Sequence, residues 1–109
     1  MRTALLLLLT LVPSCLCLQP PGRGAKADAG YARAEPVIQA LEKFERETHG
    51  WPATLSELVP AYLAAEPPAD SLEYKRTATS FELRFHYSPP GMNTCVYTPK
   101  AKWQCSGYY

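Results

Sequence analysis

The sequence predicts an α+β domain in which one N-terminal amphipathic helix packs on a small antiparallel β-meander of about three or four strands. Apolar residues first recur at the spacing of a helix. Further along the chain they alternate with polar residues at a period of two. Two cysteines then fall opposite each other across a final hairpin. These patterns lie within residues 31–109, a length of about 80 residues that suits one domain.

The helix is predicted from an apolar stripe whose members fall on one helical face. Pro36 is placed in the first turn, where its missing N–H has no helical partner to lose. Gly50 is a natural terminator. A longer helix that begins at about Asp28 and is kinked at Pro36 is the alternative. The stripe consists of Ala34, Val37, Ile38, Leu41 and Phe44.

The segment after the helix is predicted to turn at Trp51 and Pro52. Thr54 and Glu57 have the spacing of a capping box, which indicates a short helical turn. Residues 61–70 are rich in alanine and proline, and we expect an irregular loop there.

Strands are predicted from residue 72 onward, where the period changes to two. One face of each strand is apolar and is expected to be buried, while the other face is polar. A longer connection over residues 88–93 leads to the final hairpin. The apolar positions are Leu72, Tyr74, Phe81, Leu83, Phe85 and Tyr87, and the polar positions between them include Glu82, Arg84 and His86.

The final hairpin is expected to centre on Lys100, so that Cys95 faces Cys105 and Tyr97 faces Trp103. Opposed residues of a non-hydrogen-bonded antiparallel pair have Cβ atoms close enough for a disulfide. An even pair of cysteines in an exported chain favours a structural disulfide over a reactive thiol or a metal site. We therefore predict a Cys95–Cys105 disulfide, worth roughly 2–3 kcal/mol in the chain-entropy model.

Residues 1–17 are predicted to be a signal peptide. Arg2 supplies a positive charge, and the apolar run after it is within the roughly 7–15 residues of a secretory signal core. That run is shorter than the about 20 residues that a membrane-spanning helix needs. Residues 12–15 resemble a bacterial lipobox, so we expect Cys15 to be lipidated. The alternative is ordinary cleavage between Cys15 and Leu18, in which Cys15 and Cys17 are discarded.

Residues 18–30 are predicted to be a flexible linker, because proline, glycine, alanine and scattered charges leave little to bury. The globular domain would then span residues 31–109. A core of that size is marginal, which makes a disulfide useful.

The composition does not favour nucleic-acid binding or catalysis. The chain has 11 Lys and Arg and 10 Asp and Glu, so no basic stripe for nucleic acid is expected. Metal-ligand spacings, phosphate loops and nucleophile elbows are missing from the sequence. We expect no cofactor, no metal, no small-molecule substrate and no enzymatic activity. An enzyme would need a deep pocket that gathers His49 or His86 with carboxylates.

A resemblance to a known family lies in the helix and the segment after it. These residues resemble the soluble domain of type II secretion major pseudopilins and related type IV pilin-like proteins. In that family a helix that ends in Gly-x-Tyr-Pro is followed by a similar segment and a small sheet. Trp51 stands where tyrosine is usual. The matching residues are 32–44, 49–52, Leu55, 58–60 and 62–63.

The resemblance implies a pilin-like fold outside the filament, because the chain lacks the long hydrophobic pilin helix and the acidic calcium loop. We expect an exported protein, either a periplasmic or outer-membrane lipoprotein or a secreted one. It would bind a protein of the cell envelope, and its lipid would hold it at the membrane. Its role would be structural or an interaction role for a secretion or pilus system. The alternative is a small secreted inhibitor or binding module that inserts residues 88–93 into a soluble enzyme.

An aromatic group is the candidate interaction surface. It consists of Tyr97, Trp103, Tyr108 and Tyr109. The alternative is that these rings complete a small core.

Overall fold

The computed structural model describes residues 20–89 and 91–108. The described chain has one α-helix, which packs mainly on the second strand of a four-stranded antiparallel sheet with strands in sequence order. The predicted α+β class is confirmed at this level. The elements are α1 (Ala25–Thr48), a short 3-10 helix (Leu55–Leu58), β1 (Glu73–Arg76), β2 (Phe81–Tyr87), β3 (Met92–Thr98) and β4 (Lys102–Tyr108).

The helix begins earlier than predicted. Because α1 starts at Ala25, the flexible-linker prediction for residues 18–30 is wrong over residues 25–30. The chain ahead of the helix is tied to the sheet: the Gly22 N–H donates to the Tyr87 hydroxyl at 2.8 Å, and the Tyr31 hydroxyl donates to the Gly22 carbonyl at 2.8 Å. Gly22 takes a positive φ of 90°, which glycine adopts without a steric penalty. These contacts order a segment whose composition alone gave no reason for order.

The predicted apolar stripe is the buried face of α1. Ala34, Val37, Ile38 and Leu41 are all less than 5% exposed, and Phe44 packs half-buried against the same core. Pro36 lies inside the helix on its exposed side, so its placement in the first turn is wrong.

The helix ends just before Gly50. His49 takes the left-handed conformation at φ 61°, and its N–H donates to the Glu45 carbonyl at 2.8 Å. Glu57 then accepts from the backbone N–H groups of Ala53 and Thr54, at 2.7 and 3.1 Å, as the predicted capping turn requires.

The hairpin register is confirmed. Cys95 lies opposite Cys105 and Tyr97 opposite Trp103, with an S–S bond of 2.08 Å and a Cα–Cα distance of 4.1 Å between the cysteines. Tyr31 from α1 reaches this bond, its hydroxyl oxygen lying 3.3 Å from Cys105 Sγ. The disulfide therefore joins β3 to β4 where the helix meets the sheet.

The helix and the sheet approach most closely at Gly30. A Cβ atom at this position would lie 2.1 Å from Cε1 of Phe85, which is 1% exposed and has no room to move. Helix packing thus requires a residue without a side chain here.

We expect Gly30→Ala to destabilise the protein, although glycine-to-alanine changes inside helices usually stabilise by about 1 kcal/mol. Overpacking against Phe85 costs roughly 1–3 kcal/mol and outweighs that gain. Urea unfolding measures the difference. The matched control is Gly50→Ala, where nothing lies within 4 Å of the added Cβ. A midpoint for Gly30→Ala at or above that of the unmodified protein would contradict the close packing.

Candidate functional site

The sheet has an outer face that points away from α1. Its side chains alternate with the buried ones along each strand, and most carry charge or hydrogen-bonding groups. We call this set the outer face: Glu73, Lys75, Glu82, Arg84, His86, Thr94, Val96, Gln104 and Ser106.

His86 is held between two strands on the outer face. Its Nδ1 lies 2.9 Å from the Thr94 hydroxyl, and its Nε2 lies 2.8 Å from Oε2 of Glu73. The contact with Glu73 is diagonal, since Glu73 is directly opposite Arg84. With a partner on each ring nitrogen, the imidazole has a defined orientation on the surface.

These three groups are also the components of a hydrolytic triad, but their setting suits binding better. The side chains of His86 and Glu73 are 57% and 55% exposed, so neither is withdrawn from water. Because β2 is paired on both sides, its backbone N–H groups are used within the sheet and do not converge on an oxyanion. The contacts of His86 with Glu73 and Thr94 can instead hold polar and charged side chains in a fixed orientation for a binding partner.

A second ordered contact lies beside the first. Nη2 of Arg84 lies 2.8 Å from Oε1 of Glu82, with both side chains about one-third exposed at 39% and 34%. Arg84 is also opposite Val96, which is in turn opposite Gln104. Half-buried Val96 therefore forms a small apolar centre with charged and polar neighbours, the composition of a modest protein contact surface.

A separate cleft of about 460 Å³ lies at the carboxyl end of α1. Glu45, His49, Trp51 and Arg76 line it together with residues 77–79. It brings a histidine and a carboxylate from adjacent turns of the helix to one opening. His49 is exposed there, which leaves its ring in water rather than in a desolvated reaction site.

The structure corrects the predicted aromatic contact surface. Tyr97 is 6% exposed and belongs to the core. Trp103 is half-buried, with its ring centroid 4.9 Å from that of Tyr31 and 5.4 Å from that of Tyr97. These two rings complete the core, as the alternative held. Tyr108 belongs to β4, where only its backbone is described, and Tyr109 lies outside the described residues.

The predicted lipidation site Cys15 and the predicted signal peptide, residues 1–17, also lie outside the described residues. Within the part of the chain that is described, no group of three or more His, Cys, Asp and Glu side chains is arranged to hold a metal ion. None of the helices there combines the length and apolar character needed to cross a bilayer.

Comparison with protein-family models, with curated proteins and with solved structures finds no match to this chain.

Sequence reasoning placed His86 on a polar strand face but named Glu82 and Arg84 as its neighbours. Its bonded partners are Glu73 and Thr94, which come from the two flanking strands. The turn between β1 and β2 puts Glu73 opposite Arg84, which makes the contact of Glu73 with His86 a diagonal one.

Tyr74 ties β1 to the turn beside the cleft. Its hydroxyl donates to the Pro52 carbonyl at 2.6 Å, and its burial raises the pKa of the phenol from 10.0 to about 12. The neutral phenol is therefore favoured in the folded state.

This shift predicts an alkaline loss of stability. Between pH 10.0 and about 12 the unfolded chain ionises Tyr74 while the folded protein holds the proton, so the free energy of unfolding falls as pH rises. We expect Tyr74→Phe to make that fall shallower and to remove one phenolate transition near pH 12, because the pKa of Tyr74 is raised to about 12. Urea unfolding across this pH range and ultraviolet difference absorbance measure both. An unchanged pH slope in Tyr74→Phe would count against the buried phenol as its source.

Proposed function

We propose that this chain is an exported protein of the bacterial cell envelope, anchored by a lipid at Cys15, with a non-enzymatic role. It binds an envelope protein through the outer face of its sheet, in association with a secretion or pilus system. One observation carries this proposal: charged side chains on that face are fixed by the contacts of His86 with Glu73 and Thr94 and of Arg84 with Glu82.

Fixed side chains favour recognition because their conformational entropy is lost before the partner arrives. Charges of both signs on one surface select a partner with the complementary arrangement and repel the wrong ones. Val96 supplies an apolar centre within that arrangement. A catalytic role would instead need a desolvated cavity around the titratable groups, and both histidines are exposed.

The pilin-like assignment is part of the proposal. It is supported by the order of elements, one helix followed by a short 3-10 helix and an antiparallel sheet. Two of the residues behind the resemblance, Phe44 and Tyr62, also contact each other, and Tyr62 bonds a further residue of α1. The Tyr62 hydroxyl donates to Glu47 at 2.7 Å, and the Tyr62 ring lies 5.4 Å from that of Phe44. The segment after the turn therefore folds back on the end of α1.

A lipid anchor predicts a defined mature mass. We expect the envelope protein to begin at Cys15, to carry acyl chains there and to show the mass loss of one disulfide. Cys15→Ser removes the acyl acceptor and should release the protein from membranes, whereas the control Cys17→Ser should stay anchored. Intact mass spectrometry of fractionated cells measures this. An unlipidated mass beginning near Leu18 would overturn the anchor.

The outer face is tested by charge reversal. We expect Arg84→Glu to weaken capture of secretion or pilus components by roughly tenfold or more, because it places like charge against the partner. The matched control is Arg46→Glu, an exposed reversal on α1 that should leave capture unchanged. Quantitative pull-down from envelope extract, with circular dichroism to check folding, gives the comparison. Equal capture by both variants would exclude the outer face as the contact site.

The alternative function remains a small secreted inhibitor or binding module. It is favoured by Met92, which is 66% exposed next to the connection between β2 and β3. The same pull-down separates the two functions. Recovery of a single soluble hydrolase, lost on Met92→Asp and retained on Arg84→Glu, would favour the inhibitor.

A further inference from the structure

The two edges of the sheet differ in how they are protected. Edge strands present unpaired backbone groups that can join another strand, and charged residues discourage this. β1 has four residues, three of them charged. β4 has seven residues, and Lys102 is the only charged one. Within residues 20–89 and 91–108, no strand pairs with the outer edge of β4.

The disulfide shows which backbone groups of β4 point outward. The Cα atoms of Cys95 and Cys105 are 4.1 Å apart, far closer than the roughly 5.5 Å of a hydrogen-bonded antiparallel pair. Cys105 is therefore in a non-hydrogen-bonded position, and its N–H and C=O point away from β3. By the alternation of the ladder, Trp103 and Gly107 also point outward, while Gln104 and Ser106 bond to β3.

The outward groups match a second copy of the same strand. Cys105 is the midpoint of Lys102–Tyr108, so antiparallel pairing centred on it uses the whole strand. Cys105 then faces Cys105 of the second copy, and Trp103 faces Gly107. Each such pair exchanges two N–H···O bonds.

The side chains opposed in this register are compatible. Gly107 has no space for a side chain, since an added Cβ would lie 2.4 Å from Asn93 Oδ1. An aromatic residue opposite a glycine is a favourable cross-strand arrangement. Gln104 faces Ser106, both neutral and exposed. Lys102 faces Tyr108, so no like charges are opposed.

We propose that two copies of this chain pair edge to edge through β4, as antiparallel strands centred on Cys105, into one eight-stranded sheet. The two-fold axis is perpendicular to the sheet, so both outer faces point to the same side. The dimer presents two identical contact surfaces side by side. The disulfide holds β4 in register with β3 before two copies meet. Less conformational entropy is therefore lost when the dimer forms.

Charge substitutions on β4 test the pairing. Gln104→Lys with Ser106→Lys places lysines opposite each other twice in the homodimer, and we expect the dissociation constant to rise roughly tenfold. Gln104→Glu with Ser106→Glu should weaken its own homodimer equally. When mixed, the two variants should form mainly heterodimers. Gln39→Lys with Ser56→Lys adds the same charges elsewhere on the exposed surface and should leave dimerisation unchanged.

Native mass spectrometry of the mature, disulfide-intact protein over a concentration series reads out these species. Amide exchange by NMR locates the interface. The N–H groups of Trp103, Cys105 and Gly107 should gain protection with concentration, while those of Gln104 and Ser106 are protected throughout. Three results would each overturn the proposal. The protein could remain monomeric up to about 1 mM, or the double lysine variant could dimerise as well as the unmodified protein. The third is that the exchange rates of the Trp103, Cys105 and Gly107 amides do not change with protein concentration.

Discussion

The helix lies so close to the sheet at Gly30 that one added methyl group would overlap the ring of Phe85. This approach brings the N-terminal half of α1 onto β2 and places Tyr31 against the Cys95–Cys105 bond. From there, Gly22 is bound by Tyr31 and Tyr87. Three features thus follow from this one contact, because each requires the helix at this distance from the sheet. They are the position of the helix, the order of the chain before it and the burial of the disulfide.

Periodicity predicted the elements well because their burial is one-sided. The helical stripe and the alternation in β2 each place apolar residues on a single face, and that pattern is local in sequence. The hairpin register was also local, since Cys95 and Cys105 are ten residues apart. The start of α1, in contrast, depends on contacts with residues that are distant in sequence. Residues 25–30 were assigned to a linker, yet Gly30 is buried and packs against Phe85 of β2.

The candidate site was harder to predict for the same physical reason. Alternation places His86 on the polar face, but its partners depend on how β1 and β3 align with β2. The turn between β1 and β2 puts Glu73 opposite Arg84, so the contact of Glu73 with His86 is diagonal and depends on side-chain conformation, which the alternation of polar residues does not give. The prediction of an aromatic contact surface was wrong for a different reason. Tyr97 and Trp103 were grouped by composition near the carboxyl end, although their alternation with polar residues already placed them on the disulfide side of the strands.

The early start of the helix changes how an anchored domain would be held. Under the proposal that Cys15 carries the lipid, only five residue steps separate the anchor from Pro20, the first described residue. Five residues span at most roughly 18 Å. The chain enters at the inner face, where Gly22 contacts Tyr87 and a Cβ on Gly22 would lie 2.8 Å from Cys105 Sγ. The bilayer would therefore lie close to that side of the domain, which leaves the outer face of the sheet directed away from the entry point of the anchor and accessible to a partner in the envelope.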